Sequence, residues 1–179
     1  AGVVGGASGV AACARGGSAA GTRCEDTGGG MPWLGAAATF ERLSREAVQA
    51  GLCWLTILNK RGSCRAAFHG CDAERVAALT DDDADRLMQD NGIVRNRAKI
   101  EATRKNAAAV VELREEGGLE AFIRSFRPER TPRPETSADV PTVSDESTAL
   151  SKAWRKKGFG FVGPTPMYAL MGASGVAGP

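Results

Sequence analysis

From Phe40 onward, apolar residues recur every three to four positions, which is the spacing of an amphipathic α-helix. Phe40, Leu43 and Ala47 begin this series, and Thr39 stands where a helix cap is expected. The run CWLTIL has the composition of a strand, but no second strand is predicted to pair with it. The pattern therefore predicts an all-α fold.

Caps, glycines and prolines divide the rest of the chain into further helices. We predict a short helix over AERVAAL after the cap Asp72, and another after the cap Thr80 that ends at NGIV. A long helix is predicted over residues 95–116, followed by one over LEAFIRSF. A connector with four prolines then leads to a helix that Ser147 starts and Gly158 closes, and to a last short helix around residues 167–171.

Residues 1–39 differ in composition from everything that follows, because eleven of them are glycine and ten are alanine. Such a segment buries too little apolar area to offset the entropy of ordering it. We therefore predict a low-complexity tail over residues 1–38, disordered or loosely packed, and one helical domain over residues 39–179.

Composition and charge exclude several classes of protein. The 179 residues are 42% hydrophobic and 25% charged, with a formal net charge of +2, which is typical of a globular protein. No apolar run reaches the roughly 20 residues of a membrane span, and the first residues do not resemble a secretory signal. Five cysteines, an odd count, argue against a disulfide framework, so we expect a cytoplasmic protein. The single histidine, His69, weighs against Ser–His hydrolases and is expected to be an ordinary turn residue.

The element LMQDNGIVRNRAKI has the pattern of a helix-hairpin-helix, which we place at about residues 81–116. A tight turn over residues 91–94 would expose backbone N–H groups at the start of a basic helix, where a DNA phosphate can bind. The alternative is a generic turn with a solvated basic face. A second basic cluster without acids, KAWRKK, favours the DNA interpretation. The predicted DNA contacts are Gly92, Ile93, Val94, Arg95, Arg97 and Lys99.

Three long segments resemble the DNA-3-methyladenine glycosylase I family of the helix-hairpin-helix superfamily, over about residues 40–176. They are FERLSREAVQAGLCWLTILNKR, AAFHGCDAERVAALTDDDADRLMQDNGIVRNRAKIEATRKNA and ALSKAWRKKGFGFVGPTPMYALMGASG. The resemblance implies the all-α glycosylase fold and a base-excision repair enzyme. Such an enzyme flips 3-methyladenine out of alkylated double-stranded DNA and hydrolyses its N-glycosidic bond. A monomer is expected.

The resemblance also implies site residues. Glu46 matches the family's pocket glutamate and would be catalytic, accepting hydrogen bonds from the flipped cationic base; a solvated surface glutamate is the alternative. Trp54 would stack on the base and Tyr168 would contact it, unless both are core residues. Gln49, Gly51 and Leu52 match the loop that fills the gap left in DNA, although Leu52 could equally belong to the core.

The N-terminal part departs from the family pattern. Relatives carry tyrosine, histidine and tryptophan motifs there, including ligands of a structural zinc; only Cys24 remains as a candidate ligand. Because a zinc site needs about four ligands, we predict no zinc and no cofactor. We also hypothesise that residues 1–39 are not the family's own sequence. Two further functions therefore stay open: a non-catalytic DNA-binding protein, and an all-α scaffold that binds an acidic protein.

Overall fold

The computed structural model describes residues 35–49, 52, 54–129 and 141–176. In these ranges it contains helices and turns and no strand, which confirms the predicted all-α class. The α-helices are α1 Ala36–Gln49, α2 Trp54–Asn59, α3 Arg61–Ala67, α4 Ala73–Ala77, α5 Asp81–Gln89, α6 Arg97–Glu112, α7 Gly118–Arg124, α8 Asp145–Lys156 and α9 Pro164–Ala173. Short 3-10 turns lie at His69–Cys71 and Leu113–Glu116.

Two helix starts are capped as the sequence predicts. The Asp72 side chain accepts a hydrogen bond from the Arg75 amide (3.0 Å) at the start of α4. The Thr80 hydroxyl accepts from the Asp83 amide (3.2 Å), and the Asp83 carboxylate accepts in return from the Thr80 amide (2.9 Å). This reciprocal capping box satisfies two amides that the helix itself cannot bond.

Other boundaries differ from the prediction for local reasons. Helix α1 begins at Ala36, so Thr39 lies inside it and its hydroxyl donates to the Gly35 carbonyl (3.1 Å). Helix α8 begins at Asp145, because Ser144 is the cap and Ser147 is its partner inside the first turn. Helix α6 begins at Arg97, because the side chain of Asn96 accepts from the Lys99 amide (3.1 Å) and fixes the start there.

The hydrophobic core lies where α1, α6, α8 and α9 pack together. Helix α1 contributes Phe40 and Leu43, and α6 contributes Ile100, all at most 2% exposed. Trp154 of α8 is fully buried and stacks on Phe159 with ring centroids 4.9 Å apart. This core holds α1 against α6, so the end of α1 lies beside the hairpin that precedes α6.

The tail predicted over residues 1–38 lies outside the described residues except at its end, where residues 36–38 belong to α1. Within the described ranges, no helix combines the length and the apolar character that crossing a membrane requires. His69 lies in a 3-10 turn with φ 52°, as a turn residue would.

Candidate active site

Glu46 lies in the last turns of α1, on the border of the face that α1 buries. It is 3% exposed, so it is not the solvated surface glutamate that the sequence left as an alternative. Arg42, one helical turn earlier, donates to Oε1 of Glu46 from Nε (2.8 Å) and lies 2.6 Å from the same oxygen through Nη2. The arginine thus holds the carboxylate in one orientation.

Burial and Arg42 act on the pKa of Glu46 in opposite directions. Burial raises this pKa above its ordinary value because the charged carboxylate loses its hydration. The charge and hydrogen bond of Arg42 lower it, as does the charge of Arg45, but burial is the larger effect. The result is a carboxylate in a poorly hydrated place, where a hydrogen bond to it is stronger than in water.

A second buried glutamate on the same helix has a different surrounding. Glu41 accepts from Nε of Arg61 (2.7 Å) and lies 3.9 Å from Arg45 and 3.8 Å from Arg65. Burial and the charges of Arg42 and Arg61 lower the pKa of Arg45 to about 10. Glu41 and the three arginines around it, Arg45, Arg61 and Arg65, border a cavity of about 40 Å³, which has room for one or two waters and is too small for a nucleobase. We therefore assign this cluster to packing and not to the pocket.

The loop after α1 turns tightly and leaves a leucine exposed. The Leu52 amide donates to the carbonyl of Gln49 (2.7 Å), and the Leu52 side chain is 38% exposed. Gln49 is half-buried at the end of α1. An exposed apolar side chain here is compatible with the wedge that the resemblance implies and not with a core leucine. Leu55, 41% exposed, adds a second apolar side chain that the sequence did not single out.

For three other predicted substrate or loop contacts, the structure describes the position only in part. Gly51 lies outside the described residues, and Trp54 opens α2 with its side chain outside them. Tyr168 is half-buried on α9, which packs on α1. Its neighbour Met167 belongs to the core, so the core interpretation of Tyr168 stays open.

In the hairpin between α5 and α6, two amides of the turn are hydrogen-bonded within the protein. The Gly92 amide donates to Oδ1 of Asp90 (2.7 Å), and the Ile93 amide donates to the Asp90 carbonyl (3.4 Å). Ile93 is 3% exposed and belongs to the hydrophobic core. The Gly92 and Ile93 amides therefore bond within the protein, which weighs against a phosphate contact through these two amides.

The sequence suggests that Asn91 and Gly92 make this turn tight by adopting a positive φ, and for Gly92 the structure shows another reason. Gly92 does not have a positive φ. A Cβ built on Gly92 would lie 2.9 Å from Cβ of Ser63 and 3.0 Å from Oδ1 of Asp90. Glycine is needed because the turn passes close against α3, not because the backbone is left-handed.

Amides without a hydrogen-bond acceptor among the described residues follow directly after the turn. In the part of the chain that the structure describes, the amides of Arg95, Arg97 and Ala98 have no acceptor within the protein. Arg97 and Ala98 open α6, where unpaired amides and the helix dipole together favour an anion. The candidate phosphate site thus lies at the start of α6, as the sequence predicts, and the contact itself stays a prediction.

The basic residues of this region differ in how far their charges are compensated. Arg97 pairs with Asp85 and with Glu101 (3.1 Å), and Arg104 pairs with Asp81 (2.9 Å) and Glu101. The side chain of Lys99 is buried, which weighs against the predicted contact of Lys99 with DNA. Among the described residues, the exposed cations without an ion pair include two on or beside α6 and three on α8: Arg95, Lys105, Lys152, Arg155 and Lys156.

Two contacts around the site were missed from the sequence. Arg42 lies four residues before Glu46, and this i, i+4 spacing is a signal that could have identified the pair. Lys60, between α2 and α3, donates to the Asn91 carbonyl in the hairpin turn (2.6 Å). Nothing in the sequence distinguishes Lys60 from a solvated lysine.

No metal site emerges from the described residues, which contain no group of three or more His, Cys, Asp or Glu side chains able to hold a metal ion. Cys64 and Cys71 are free, and burial raises the pKa of Cys71 to about 12, which disfavours the thiolate that a metal needs. Cys24, the candidate zinc ligand, lies outside the described residues. The expected lack of zinc stays a prediction.

Comparison with known proteins gives the relationship of the chain. The family model of methyladenine glycosylase matches residues 19–178, a longer stretch than the motifs alone covered. It includes residues 19–39, which the motifs had left outside the family. DNA-3-methyladenine glycosylase 1 of Escherichia coli is 42% identical over 151 residues, which are 82% of this chain and 80% of that protein. DNA-3-methyladenine glycosylase of Haemophilus influenzae is also 42% identical over 151 residues, 82% of this chain and 81% of its own.

A solved structure agrees with this relationship. The structure of 3-methyladenine DNA glycosylase I from Staphylococcus aureus, which describes 3-methyladenine recognition, superposes with a TM-score of 0.84 at 32% identity. It covers 90% of this chain and 87% of the other. The resemblance of the three sequence segments and the predicted helical fold are thereby confirmed. The chain belongs to the methyladenine glycosylase family.

Proposed function

We propose that this protein excises 3-methyladenine from alkylated double-stranded DNA by hydrolysing the N-glycosidic bond of the flipped nucleotide. The observation that carries the proposal is the 42% identity, over four fifths of both chains, to a protein named DNA-3-methyladenine glycosylase 1. The burial of Glu46 at the end of α1 is the structural observation that supports the proposal. A monomer that works in the cytoplasm is part of the proposal.

The reaction needs only a modest catalytic contribution from the protein, because 3-methyladenine in DNA is cationic and its glycosidic bond is already weakened. Water adds its oxygen to C1′ of the sugar and releases a proton, while the bonding electrons leave with the base, which becomes neutral. Glu46 accepts hydrogen bonds from the edge of the base and opposes its positive charge. Trp54 supplies the stacking face, and Leu52 fills the gap in the duplex, which keeps the nucleotide flipped.

The duplex is gripped at the start of α6 without reading its sequence. The amides of Arg95, Arg97 and Ala98 bind one phosphate, and the Arg95 side chain adds an uncompensated charge. Arg97 contributes less than the sequence suggested, because Asp85 and Glu101 already neutralise it. Lys99 makes no phosphate contact in this proposal.

The function is tested by incubating the full chain with methylated duplex DNA and separating released bases by chromatography. Release of free 3-methyladenine with turnover supports the proposal, and undamaged duplex is the control. Binding to DNA without release would indicate a non-catalytic DNA-binding protein. A chain that binds no duplex at any salt concentration would instead be a scaffold.

We predict that Arg95→Ala lowers the slope of log K against log salt by up to about one for any duplex sequence. Arg97→Ala should lower it less, because its charge is paired with Asp85 and Glu101. Arg124→Ala is the matched control, since this exposed arginine ends α7, beyond the far end of α6. Titrations at several salt concentrations measure the slopes. Equal slopes for Arg95→Ala and Arg124→Ala would place the DNA surface elsewhere.

A further inference from the structure

Lys99 belongs to the first turn of α6 but does not share the surface of its basic neighbours. It is 8% exposed, and its Nζ donates to the carbonyl of Val48 (2.7 Å), which is 51 positions away in the sequence. Burial lowers the pKa of this lysine, because the charged form loses hydration. A buried ammonium is kept only where bonds such as this one replace its water.

The acceptor of this hydrogen bond lies at the end of the helix that carries the pocket glutamate. Val48 is the penultimate residue of α1, two positions after Glu46 and four before Leu52. Carbonyls in the last turn of a helix have no partner within it, and the helix dipole there favours a cation. Lys99 therefore caps the C-terminal end of α1 from another helix.

The same turn of α6 contains the candidate phosphate site. The Lys99 amide donates to Oδ1 of the cap Asn96 (3.1 Å), while among the described residues the amides of Arg97 and Ala98 have no acceptor. These amides lie one and two positions before the lysine. In the proposed function, one helical turn thus binds the DNA backbone through its free amides and fastens α1 through its lysine.

We infer that Lys99 is a positioning residue: by capping α1 at Val48, it sets Glu46 and the Leu52 loop relative to the phosphate gripped at the start of α6. The inference rests on the proposed function. Its physical basis is that a catalytic group displaced by about 1 Å costs up to about 100-fold in rate. Lys99 contributes to the chemical step through α1 and not through contact with DNA or base.

A similar lysine provides the control. Lys60 also bonds a distant carbonyl, that of Asn91 (2.6 Å), and so ties the hairpin to the corner between α2 and α3. It is more exposed than Lys99, and its hydrogen bond goes to the hairpin turn and not to the end of α1. Lys60→Met removes a lysine–carbonyl bond of the same type without releasing the end of α1.

The experiment compares Lys99→Met, Lys99→Arg and Lys60→Met as full chains. Single-turnover excision of 3-methyladenine at saturating enzyme should fall about tenfold or more in Lys99→Met. Its Kd for undamaged duplex should stay within about twofold and its salt slope should not change, because no phosphate contact is lost. Lys99→Arg keeps a charged donor, so it should retain part of the excision rate that Lys99→Met loses. The excision rate of Lys60→Met should stay within about twofold of the parental rate.

Hydrogen exchange gives a readout that does not need activity. In Lys99→Met, amides of residues 46–49 should exchange faster while those of α5 keep their protection. This holds even if the parent chain releases no 3-methyladenine, so failure of the proposed function is distinguished from failure of the inference. A salt slope lower by about one would make Lys99 a phosphate contact, and an unchanged rate with unchanged exchange would remove its positioning role. Should Lys99→Met not fold, the uncharged Lys99→Gln takes its place with the same two readouts: slower excision with faster exchange at residues 46–49 supports the inference, and parental excision with parental exchange contradicts it.

Discussion

Glu46→Gln is expected to lower the single-turnover rate of 3-methyladenine excision by about 10- to 100-fold. A hydrogen bond to a charged group contributes about 1.5–3 kcal/mol, and each 1.36 kcal/mol of barrier is about tenfold in rate. Glutamine keeps an oxygen that can accept from Arg42, so the side chain should stay in place. The variant should therefore fold, and binding of free 3-methyladenine should weaken together with the rate.

Glu41→Gln is the matched control for this substitution. Both glutamates are buried on α1 and each accepts a hydrogen bond from an arginine, Glu41 from Arg61 and Glu46 from Arg42. Glu41 faces the small cavity and not the end of the helix that leads to the loop. Its variant should lose stability but excise at close to the parental rate per folded molecule. Equal rate losses in both variants would mean that Glu46 acts only through the packing of α1.

The pH dependence of excision follows from the direction of the pKa shift. The pKa of Glu46 is raised mainly by burial, so the carboxylate is protonated at a higher pH than an exposed glutamate. As pH falls through that pKa, the charge that opposes the cationic base is lost and the rate should decline. Stability moves the other way, because protonation relieves the cost of a buried charge. In Glu46→Gln this acid limb of the rate profile should be absent.

Local features of the fold could be predicted from the sequence because they depend on neighbours in the chain. Asp72 and Thr80 bond amides three residues away, which a cap motif specifies. The start of α8 was placed three residues late for a related reason. Ser144 and Ser147 both have cap chemistry, and only the backbone conformation shows which of them lies outside the helix.

Contacts between distant segments could not be predicted in the same way. A basic residue at the start of a helix indicates a phosphate contact, and for Arg95, just before the cap of α6, this stays a prediction. Lys99 has the same chemistry and nearly the same position, but packing of α6 against α1 turns it inward to Val48. Arg95 and Lys99 differ because of how α6 is oriented against α1. That orientation cannot be read from the sequence of either helix alone.

Gly92→Ala is expected to destabilise the protein, because the turn of the hairpin lies directly on α3. An alanine Cβ at this position would lie 2.9 Å from Cβ of Ser63, closer than such atoms approach, and 3.0 Å from the Asp90 carboxylate. Overpacking of this kind costs about 1–3 kcal/mol, which in a chain of this size lowers Tm by about 2–9 °C. The shifted turn should also weaken binding to duplex DNA, since it leads directly to the phosphate site at the start of α6.

Gly62→Ala is the control, because Gly62 lies on the exposed side of α3 and a Cβ there meets nothing within 4 Å. Alanine in a helix interior is favoured over glycine by up to about 1 kcal/mol, so this variant should melt at or above the parental Tm. Ser63→Gly removes the atoms that a Cβ at position 92 would meet. In the Gly92→Ala background it should therefore recover stability, although by itself it weakens α3. Thermal unfolding of the parent, Gly92→Ala, Ser63→Gly and the double variant measures the coupling between positions 63 and 92. A Gly92→Ala variant as stable as Gly62→Ala would show that α3 does not confine the turn.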